Sequence, residues 1–190
     1  IRIVVPFTPG GSPDVVARLL AEEMGRRWHL GAVAENRAGA GGNLGAEAVA
    51  RSAPDGHTLL LMSNNIVAVN PHIGRMPIDP LTDLVPVALL ARSPLVIVVN
   101  PEQPVAEAGV PGYETDTWLS LVAPRGTPTA VIAALEAVAL ETMALPRTRE
   151  TLDRQGIELD AAGAAALGDL MRRDHARWGA VIRTAGIREE

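Results

Sequence analysis

Three short runs of the chain are almost continuously apolar, namely Ile1–Val5, Leu59–Met62 and Leu95–Val99. Strands that are buried on both faces of a sheet have this pattern, because helices cover the sheet on each side. Two more strands are predicted, one at about Ala32–Glu35 and one near Thr115. The runs therefore predict a parallel or mixed sheet that is covered by helices.

Segments with helical periodicity lie between these runs. A helix is predicted from Asp14 to Trp28, and a second one is expected to begin at Thr127-Pro128, with the threonine as N-cap. The last long helix, at about Ala164–Thr184, has an apolar stripe that includes His175. Strands and helices alternate along the chain, which predicts the α/β class.

The helix predicted from Asp14 to Trp28 has a polar face opposite its apolar one. Arg18, Glu22 and Arg26 follow one another at intervals of four residues. This spacing is typical of ion pairs along a solvated helix face.

One connection is longer than compact α/β domains usually contain. Residues 101–113, between a strand that ends at Asn100 and the strand near Thr115, include three prolines and two glycines. Such segments are lids, linkers, or places where a domain has been inserted or removed.

Composition excludes several classes of protein. The net charge is −5 and there is no clustered basic stripe, which argues against a nucleic-acid-binding protein. The chain has no cysteine, so disulfides, thiolate catalysis and cysteine-bound zinc are excluded together. It has no run of 18 apolar residues, and we expect no direct membrane insertion. It opens on a strand, so we expect that any signal peptide has been removed or never existed.

The first candidate site is the connection Pro6–Asp14 between the first strand and the first helix. Gly10 and Gly11 allow the backbone to approach a ligand closely, and Ser12 is the expected N-cap. A helix N-terminus beneath two glycines favours an anion, because unpaired N–H groups and the helix dipole both attract negative charge. The alternative is an ordinary strand-to-helix turn, and the residues alone favour neither.

The second candidate is the glycine-rich segment Arg37–Gly45. Its spacing differs from the dinucleotide-binding fingerprint, since Leu44 occupies the place of the last glycine, and no phosphate-loop lysine follows. A small anion or a neutral polar group remains an alternative to a plain helix start, for which Asn43 would be the N-cap. The third candidate, Ser63-Asn64-Asn65, follows a buried strand and offers hydrogen bonds to a ligand, although such residues also form ordinary turns.

No catalytic or metal-binding pattern is present in the sequence. The four histidines show no metal-ligand spacing, and there is no Gly-x-Ser-x-Gly elbow. His175 lies on an apolar stripe, which favours a half-buried, hydrogen-bonded histidine over a ligand or base. We therefore expect a protein that is not an enzyme and needs no cofactor or metal.

Several ordered segments resemble the Bug/TctC family, the periplasmic solute-binding proteins of tripartite tricarboxylate transporters. The similar segments are Ile1–Asp14, Glu35–Gly45, Ala53–Leu60, Asp83–Val87, Val98–Pro101, Val105–Glu114, Trp118, Ala123–Pro128 and Trp178-Gly179. The resemblance implies one lobe of a type II periplasmic-binding-protein fold, with a mixed, mostly parallel sheet flanked by helices. It also implies a small carboxylate ligand, membrane transporter subunits as partners and a periplasmic location.

The ligand contacts that the resemblance implies lie in the three candidate segments. They are Phe7, Thr8, Gly10, Gly11, Ser12, Asp14, Gly42, Asn43, Ser63 and Asn64. Asp14 is itself a carboxylate, so we expect it to order backbone or water rather than to bind an anion.

The chain also departs from the family pattern. Family members have a middle lobe of their own, whereas here the flanking segments are separated only by residues 102–104. We therefore expect residues 1–101 and 105–190 to form one lobe together, with the middle lobe missing at about 101–105. The expected function is that of a receptor fragment for a small carboxylate, which it binds weakly or not at all without the second lobe. The alternative is an isolated lobe that serves as a non-binding scaffold or interaction module.

Overall fold

A computed structural model describes residues 1–95 and 116–187 of the chain. Within these ranges the elements follow in the order β1 (Arg2–Val5), α1 (Ser12–Trp28), β2 (Val33–Asn36), a 3₁₀ turn (Ala40–Gly42), α2 (Asn43–Ala50), β3 (Thr58–Ser63), α3 (Asn65–Ala68), α4 (Asn70–Ile73), β4 (Leu84–Pro94), β5 (Asp116–Pro124), α5 (Thr129–Ala144), α6 (Pro146–Asp153), β6 (Glu158–Gly163) and α7 (Ala164–Ala185).

The strands form one mixed sheet in the order β2-β1-β3-β5-β4-β6. β1 pairs in parallel with β2 and β3, whereas the pairs β3–β5, β5–β4 and β4–β6 are antiparallel. The predicted α/β class and the mixed sheet flanked by helices are confirmed. Four of the six strands run in one direction, but parallel pairing is limited to the β2-β1-β3 half. The reason is that β5 and β6 enter the other half in the reverse direction.

The parts of the chain before and after residues 96–115 belong to this one sheet. β4 and β5 pair along nearly their whole length, from Leu84 opposite Pro124 to Pro94 opposite Asp116. The predicted run Leu95–Val99 lies outside the described residues except for Leu95, which follows β4. The connection at 101–113 and the expected seam at 101–105 also lie outside them.

Both faces of the sheet are buried, as the continuous apolar runs predict. Ile3, Leu59 and Leu61 pack with α1 and α5 on one face, whereas Val4 and Leu60 pack with α2, α3 and α7 on the other. Successive residues of a strand point to opposite faces, so a doubly covered strand needs an apolar residue at every position.

The helix starts differ from the predicted ones by one residue. α1 begins at Ser12 with Gly11 as N-cap and without a side-chain cap, so the prediction of Ser12 as N-cap was wrong. The carboxylate of Asp14 instead reaches back to the backbone N–H of Gly10, at 3.0 Å, which resembles one half of a capping box. The predicted N-caps Thr127 and Asn43 were also wrong, because Pro128 and Gly42 occupy those positions.

No single helix within the described ranges is long and apolar enough to cross a membrane. Thr129–Ala144 and Pro146–Asp153, which meet at an angle of 66°, reach the required length and apolarity only when they are taken together.

Candidate functional site

The three candidate segments lie at one edge of the sheet. β1, β2 and β3 are parallel neighbours, so their carboxyl ends, at Val5, Asn36 and Ser63, meet at the same edge. In open α/β sheets ligands bind in the crevice outside these ends. The topology therefore brings together residues that are up to 57 positions apart in the predicted site.

The connection between β1 and α1 is held by a buried carboxylate. Asp14 is only 4% exposed, and its two oxygens accept four hydrogen bonds. The donors are the Gly10 backbone N–H at 3.0 Å, the Arg18 guanidinium at 2.9 and 3.0 Å, and the Asn36 side-chain amide at 3.0 Å. The Arg18 hydrogen bonds hold the pKa of Asp14 below its usual range against the opposing effect of burial, and Gly10 and Asn36 add to the lowering. Asp14 thus orders the connection and has no free oxygen for a ligand.

Several backbone N–H groups of this connection remain open. Among residues 1–95 and 116–187, none accepts a hydrogen bond from the backbone N–H of Thr8, Gly11 or Ser12. Gly11 and Ser12 begin the 17-residue helix α1, whose dipole adds positive potential at this end. The arrangement therefore offers unpaired backbone donors to an anion.

The glycine-rich segment forms a second loop beside the first. The aromatic ring of Phe7 packs on Gly42, since a Cβ added there would lie 3.5 Å from Phe7 Cζ. Gly45 lies even closer to Pro6, since a Cβ added at Gly45 would lie 2.8 Å from Pro6 Cβ. We call residues 7–12 and 39–43 the loop pair. Its predicted members Phe7, Thr8, Gly10, Gly11, Ser12, Gly42 and Asn43 lie together.

The third segment is hydrogen-bonded to the loop pair through Asn65. The Ser63 hydroxyl donates to Asn65 Oδ1 at 2.9 Å, and the Asn65 amide donates to the Gly41 carbonyl oxygen at 2.8 Å. Asn64 points elsewhere, because its side-chain amide donates to the Asp116 backbone oxygen at 3.1 Å. Ser63 and Asn65 therefore act on the loop pair through hydrogen bonds, whereas Asn64 joins the end of β3 to the start of β5.

Sequence reasoning did not single out Asn36 or Asn70 as members of the site. Asn36 ends β2 and binds both Asp14 and the Phe7 carbonyl oxygen, at 3.0 and 3.2 Å. Asn70, which is 8% exposed, donates to the Gly41 carbonyl oxygen and to Asn43 Oδ1. One signal was available for Asn36, since it is a polar residue at the carboxyl end of a predicted strand.

A cavity of about 280 Å³ lies between α7 and the junction of β4 with β5. Arg92 lines it and forms ion pairs with Asp116, at 2.6 Å, and with Asp160. Asp174 accepts a hydrogen bond from the indole N–H of Trp118 at 2.6 Å. Of the charges along this cavity, those of Arg92 and Asp116 are thus engaged with each other, whereas Asp174 is hydrogen-bonded to an uncharged side chain.

Two histidines pack against each other between α4 and α7. The ring centroids of His72 and His175 are 4.3 Å apart, and each ring has a nitrogen within 2.9 Å of a carbonyl oxygen. A carbonyl oxygen only accepts, so these nitrogens carry protons. Burial lowers the pKa of His72, against the raising effect of its hydrogen bond to the His175 carbonyl oxygen. The half-buried, hydrogen-bonded His175 agrees with the sequence prediction.

The described residues contain no group of three or more histidine, cysteine, aspartate or glutamate side chains that could hold a metal ion.

Comparison with protein families gives a match over most of the chain. The model of the family described as "Tripartite tricarboxylate transporter family receptor" (TctC) matches residues 16–107 and 103–187. Protein BugT of Bordetella pertussis is 48% identical over 106 residues, which are 54% of this chain and 32% of that protein. The chain thus spans about a third of BugT. A protein from the tcbD-tcbE intergenic region of Pseudomonas sp. strain P51 is 26% identical over 285 residues, with 96% of this chain and 85% of that protein covered.

Solved structures with similar folds cover nearly the whole chain. R. palustris Rpa4515 with adipate has a TM-score of 0.88 at 24% identity, covering 99% of this chain and 97% of that one. The periplasmic binding protein BugD has a TM-score of 0.86 at 21% identity, covering 100% and 98%. MatC from Rhodopseudomonas palustris with bound malate has a TM-score of 0.81 at 23% identity, covering 96% and 98%. At these identities the likeness establishes the fold.

Proposed function

Because the chain belongs to the family of tripartite tricarboxylate transporter receptors (TctC), we propose that its loop pair binds a small carboxylate. The family consists of receptors, which confirms the prediction that the chain is not an enzyme. Its task is then to bind and deliver a solute rather than to convert it.

The observation that carries the proposal is the set of open donors at the start of α1. The backbone N–H groups of Thr8, Gly11 and Ser12 have no acceptor among the described residues, and Asp14 fixes the connection that presents them. Backbone donors at a helix N-terminus favour negative charge without needing a basic side chain. A carboxylate, which accepts through two oxygens, matches this arrangement.

The ligands of two structural neighbours support a carboxylate of modest size. One neighbour was solved with adipate and another with malate, both of which are dicarboxylates. We propose the same chemical class for this chain.

We further propose that residues 1–101 and 105–190 form one lobe of a two-lobed receptor, with the middle lobe missing at about 101–105. Two observations support this proposal. The family model matches in two pieces, which overlap at residues 103–107. The alignment with the Pseudomonas protein extends over 285 residues, which is 95 more than the 190 of this chain. With one lobe the site is open to water, so we expect weak binding.

A periplasmic location and delivery to membrane transporter subunits complete the proposal. Both follow from the kind of protein that the family comprises, and one structural neighbour is itself a periplasmic binding protein.

Titration of the chain with adipate and malate, followed by amide NMR shifts, tests the proposal. Gly11→Pro removes one open N–H without breaking a hydrogen bond, because the Gly11 N–H has no acceptor among the described residues. Proline also fits the backbone here, since Gly11 has φ −80°, within the range of proline. Gly11→Ala keeps the N–H and is the matched control. We expect shifts at residues 7–12 in the chain and in Gly11→Ala, and at least tenfold weaker binding in Gly11→Pro.

Equal binding by Gly11→Pro and Gly11→Ala would refute the role of the N–H donors. No shift with any mono-, di- or tricarboxylate would favour the alternative of a non-binding scaffold. A diamine of the length of adipate is the control ligand, and we expect it not to bind.

A further inference from the structure

Two asparagines outside the loop pair converge on a single backbone oxygen within it. The side-chain amides of Asn65 and Asn70 donate to the Gly41 carbonyl oxygen, at 2.8 and 3.1 Å. The Asn70 amide also donates to Asn43 Oδ1 at 2.7 Å, and Asn65 is in turn held by the Ser63 hydroxyl. A carbonyl oxygen has two lone pairs, so this one is fully used.

The loop that receives these hydrogen bonds contains a single 3₁₀ turn, in which the Gly42 N–H donates to the Gly39 carbonyl oxygen and the Asn43 N–H to that of Ala40. Gly39, Ala40, Gly41 and Gly42 all have positive φ, with values of 137°, 48°, 61° and 97°. Ala40 pays a steric cost there that glycine does not. Such a run persists only when the surroundings hold it in place. Asn65 and Asn70 provide that support from α3 and α4.

The same hydrogen bonds determine which polar groups of the loop face a ligand. The backbone N–H groups of Ala40 and Gly41 donate to no acceptor among the residues that the structure describes. Among the three carbonyl oxygens from Ala40 to Gly42, that of Gly41 accepts from the two asparagines and that of Ala40 accepts from the Asn43 N–H. An anion at the loop pair therefore meets open donors, while the oxygen that would repel it is turned toward α3 and α4.

We propose that Asn65 and Asn70 are positioning residues for the carboxylate, which hold the Gly41 carbonyl away from the anion and the loop in its donor-presenting form. This inference rests on the proposed function. It assigns a role to two residues that do not contact the ligand themselves and act on it through the loop.

Amide NMR of the full chain tests the positioning independently of any ligand. The variants are Asn65→Ala and the double variant Asn65→Ala/Asn70→Ala. Thr142→Val is the matched control, because it removes a buried side-chain hydrogen bond, to the Val138 carbonyl oxygen, on a different helix. The probes are the amides of Gly42 and Asn43, which are hydrogen-bonded to Gly39 and Ala40.

We expect the Gly42 and Asn43 amides to exchange at least tenfold faster in the double variant, with a smaller increase in Asn65→Ala. The Gly42 amide nitrogen shares a peptide unit with the Gly41 carbonyl, so its resonance should shift in both variants. Thr142→Val should change neither readout. If the double variant does not fold, the Gly42 amide resonance and the hydrogen exchange of the Gly42 and Asn43 amides in Asn65→Ala test the inference. Unchanged exchange and resonance would overturn the inference, whatever the chain binds.

The ligand arm uses adipate and malate as probes. We expect the double variant to bind them at least tenfold more weakly than the wild-type chain, and Thr142→Val to bind them equally well. Loss of loop protection with unchanged affinity would overturn the ligand role of the two asparagines. If the wild-type chain shows no shift with either probe, the proposed function and this ligand role fail together. Hydrogen exchange of the Gly42 and Asn43 amides would then still show whether the asparagines position the loop.

Discussion

Replacing Asp14 by asparagine should lower the free energy of unfolding by about 2–3 kcal/mol. The carboxylate accepts four hydrogen bonds, two on each oxygen. An amide keeps one accepting oxygen, and its NH₂ group then faces donors. Rotating the Asn36 amide would relieve that contact but would forfeit its hydrogen bond to the Phe7 carbonyl oxygen. Hydrogen bonds to charged groups contribute about 1.5–3 kcal/mol each. The exposed Arg18 guanidinium can form hydrogen bonds to water in place of those to Asp14. The lost free energy of unfolding therefore corresponds to roughly one charged hydrogen bond, with a further contribution from the contact between the new NH₂ group and the neighbouring donors.

Urea denaturation followed by circular dichroism measures this difference. Glu47→Gln is the matched control, since it makes the same chemical change in an i,i+4 pair with Arg51 on the surface. Exposed pairs contribute little, so the control should unfold close to the wild type. Domains of this size lose about 2–4 °C in melting temperature per kcal/mol, so Asp14→Asn should melt roughly 4–12 °C lower. The pKa of Asp14 is lowered by folding, so its contribution is present above about pH 4 and is lost as the pH falls through the folded-state value. A variant as stable as Glu47→Gln at pH 7 would refute the reasoning.

The other predictions concern the contact of α4 with α7. Burial lowers the pKa of His72, so the unfolded chain binds its proton at a higher pH than the folded chain does. Stability should therefore fall as the pH drops below about 6.5, by at most about 1.4 kcal/mol per pH unit for this one group. His72→Asn should reduce the change in the urea midpoint between pH 7 and pH 5. An unchanged pH dependence would contradict the assignment of this stability loss to His72. Gly179→Ala should lower the free energy of unfolding by about 1–3 kcal/mol, because the new Cβ would lie 2.5 Å from the His72 ring. Gly168→Ala in the same helix meets its nearest neighbour at 3.4 Å and should be neutral or stabilising in the same denaturation experiment, so equal losses in the two variants would count against the steric explanation.

The apolar pattern predicts β1 and β3, but it does not predict β4 or β6. β1 and β3 were identified because each of their inner positions is apolar. β4 was missed because Pro86, Arg92 and Pro94 interrupt its pattern, and bulges between Pro86 and Ala88 and between Leu89 and Ala91 shift its register. β6 lies at the edge of the sheet and is only partly covered, so half of its residues are polar or glycine. A bulge and an edge position depend on partner strands, which a local pattern does not contain.

The glycine loops of the candidate site were predictable, whereas the hydrogen bonds that hold them were not. Asn36 and Asp14 are 22 positions apart, and Asn70 and Asn43 are 27 apart, so these pairs form only when the sheet brings its strand ends together. The predicted ion pairs along α1 fail for a related reason. Arg18 binds the buried Asp14, and Glu22 binds Arg147 on α6, so both residues have partners other than each other.

The adjacent ends of β4 and β5 have a consequence for how the chain tolerates length. Pro94 and Asp116 are paired residues, so whatever joins them begins and ends one strand spacing apart, about 5 Å. The entropic cost of closing a flexible segment between two fixed points grows only with the logarithm of its length, by about 0.6 kcal/mol per doubling. A short connection and an entire domain with neighbouring termini therefore destabilise the sheet by nearly the same loop-closure entropy. We therefore expect that a reporter domain inserted between Pro94 and Asp116 leaves the register of β1, β2 and β3 unchanged.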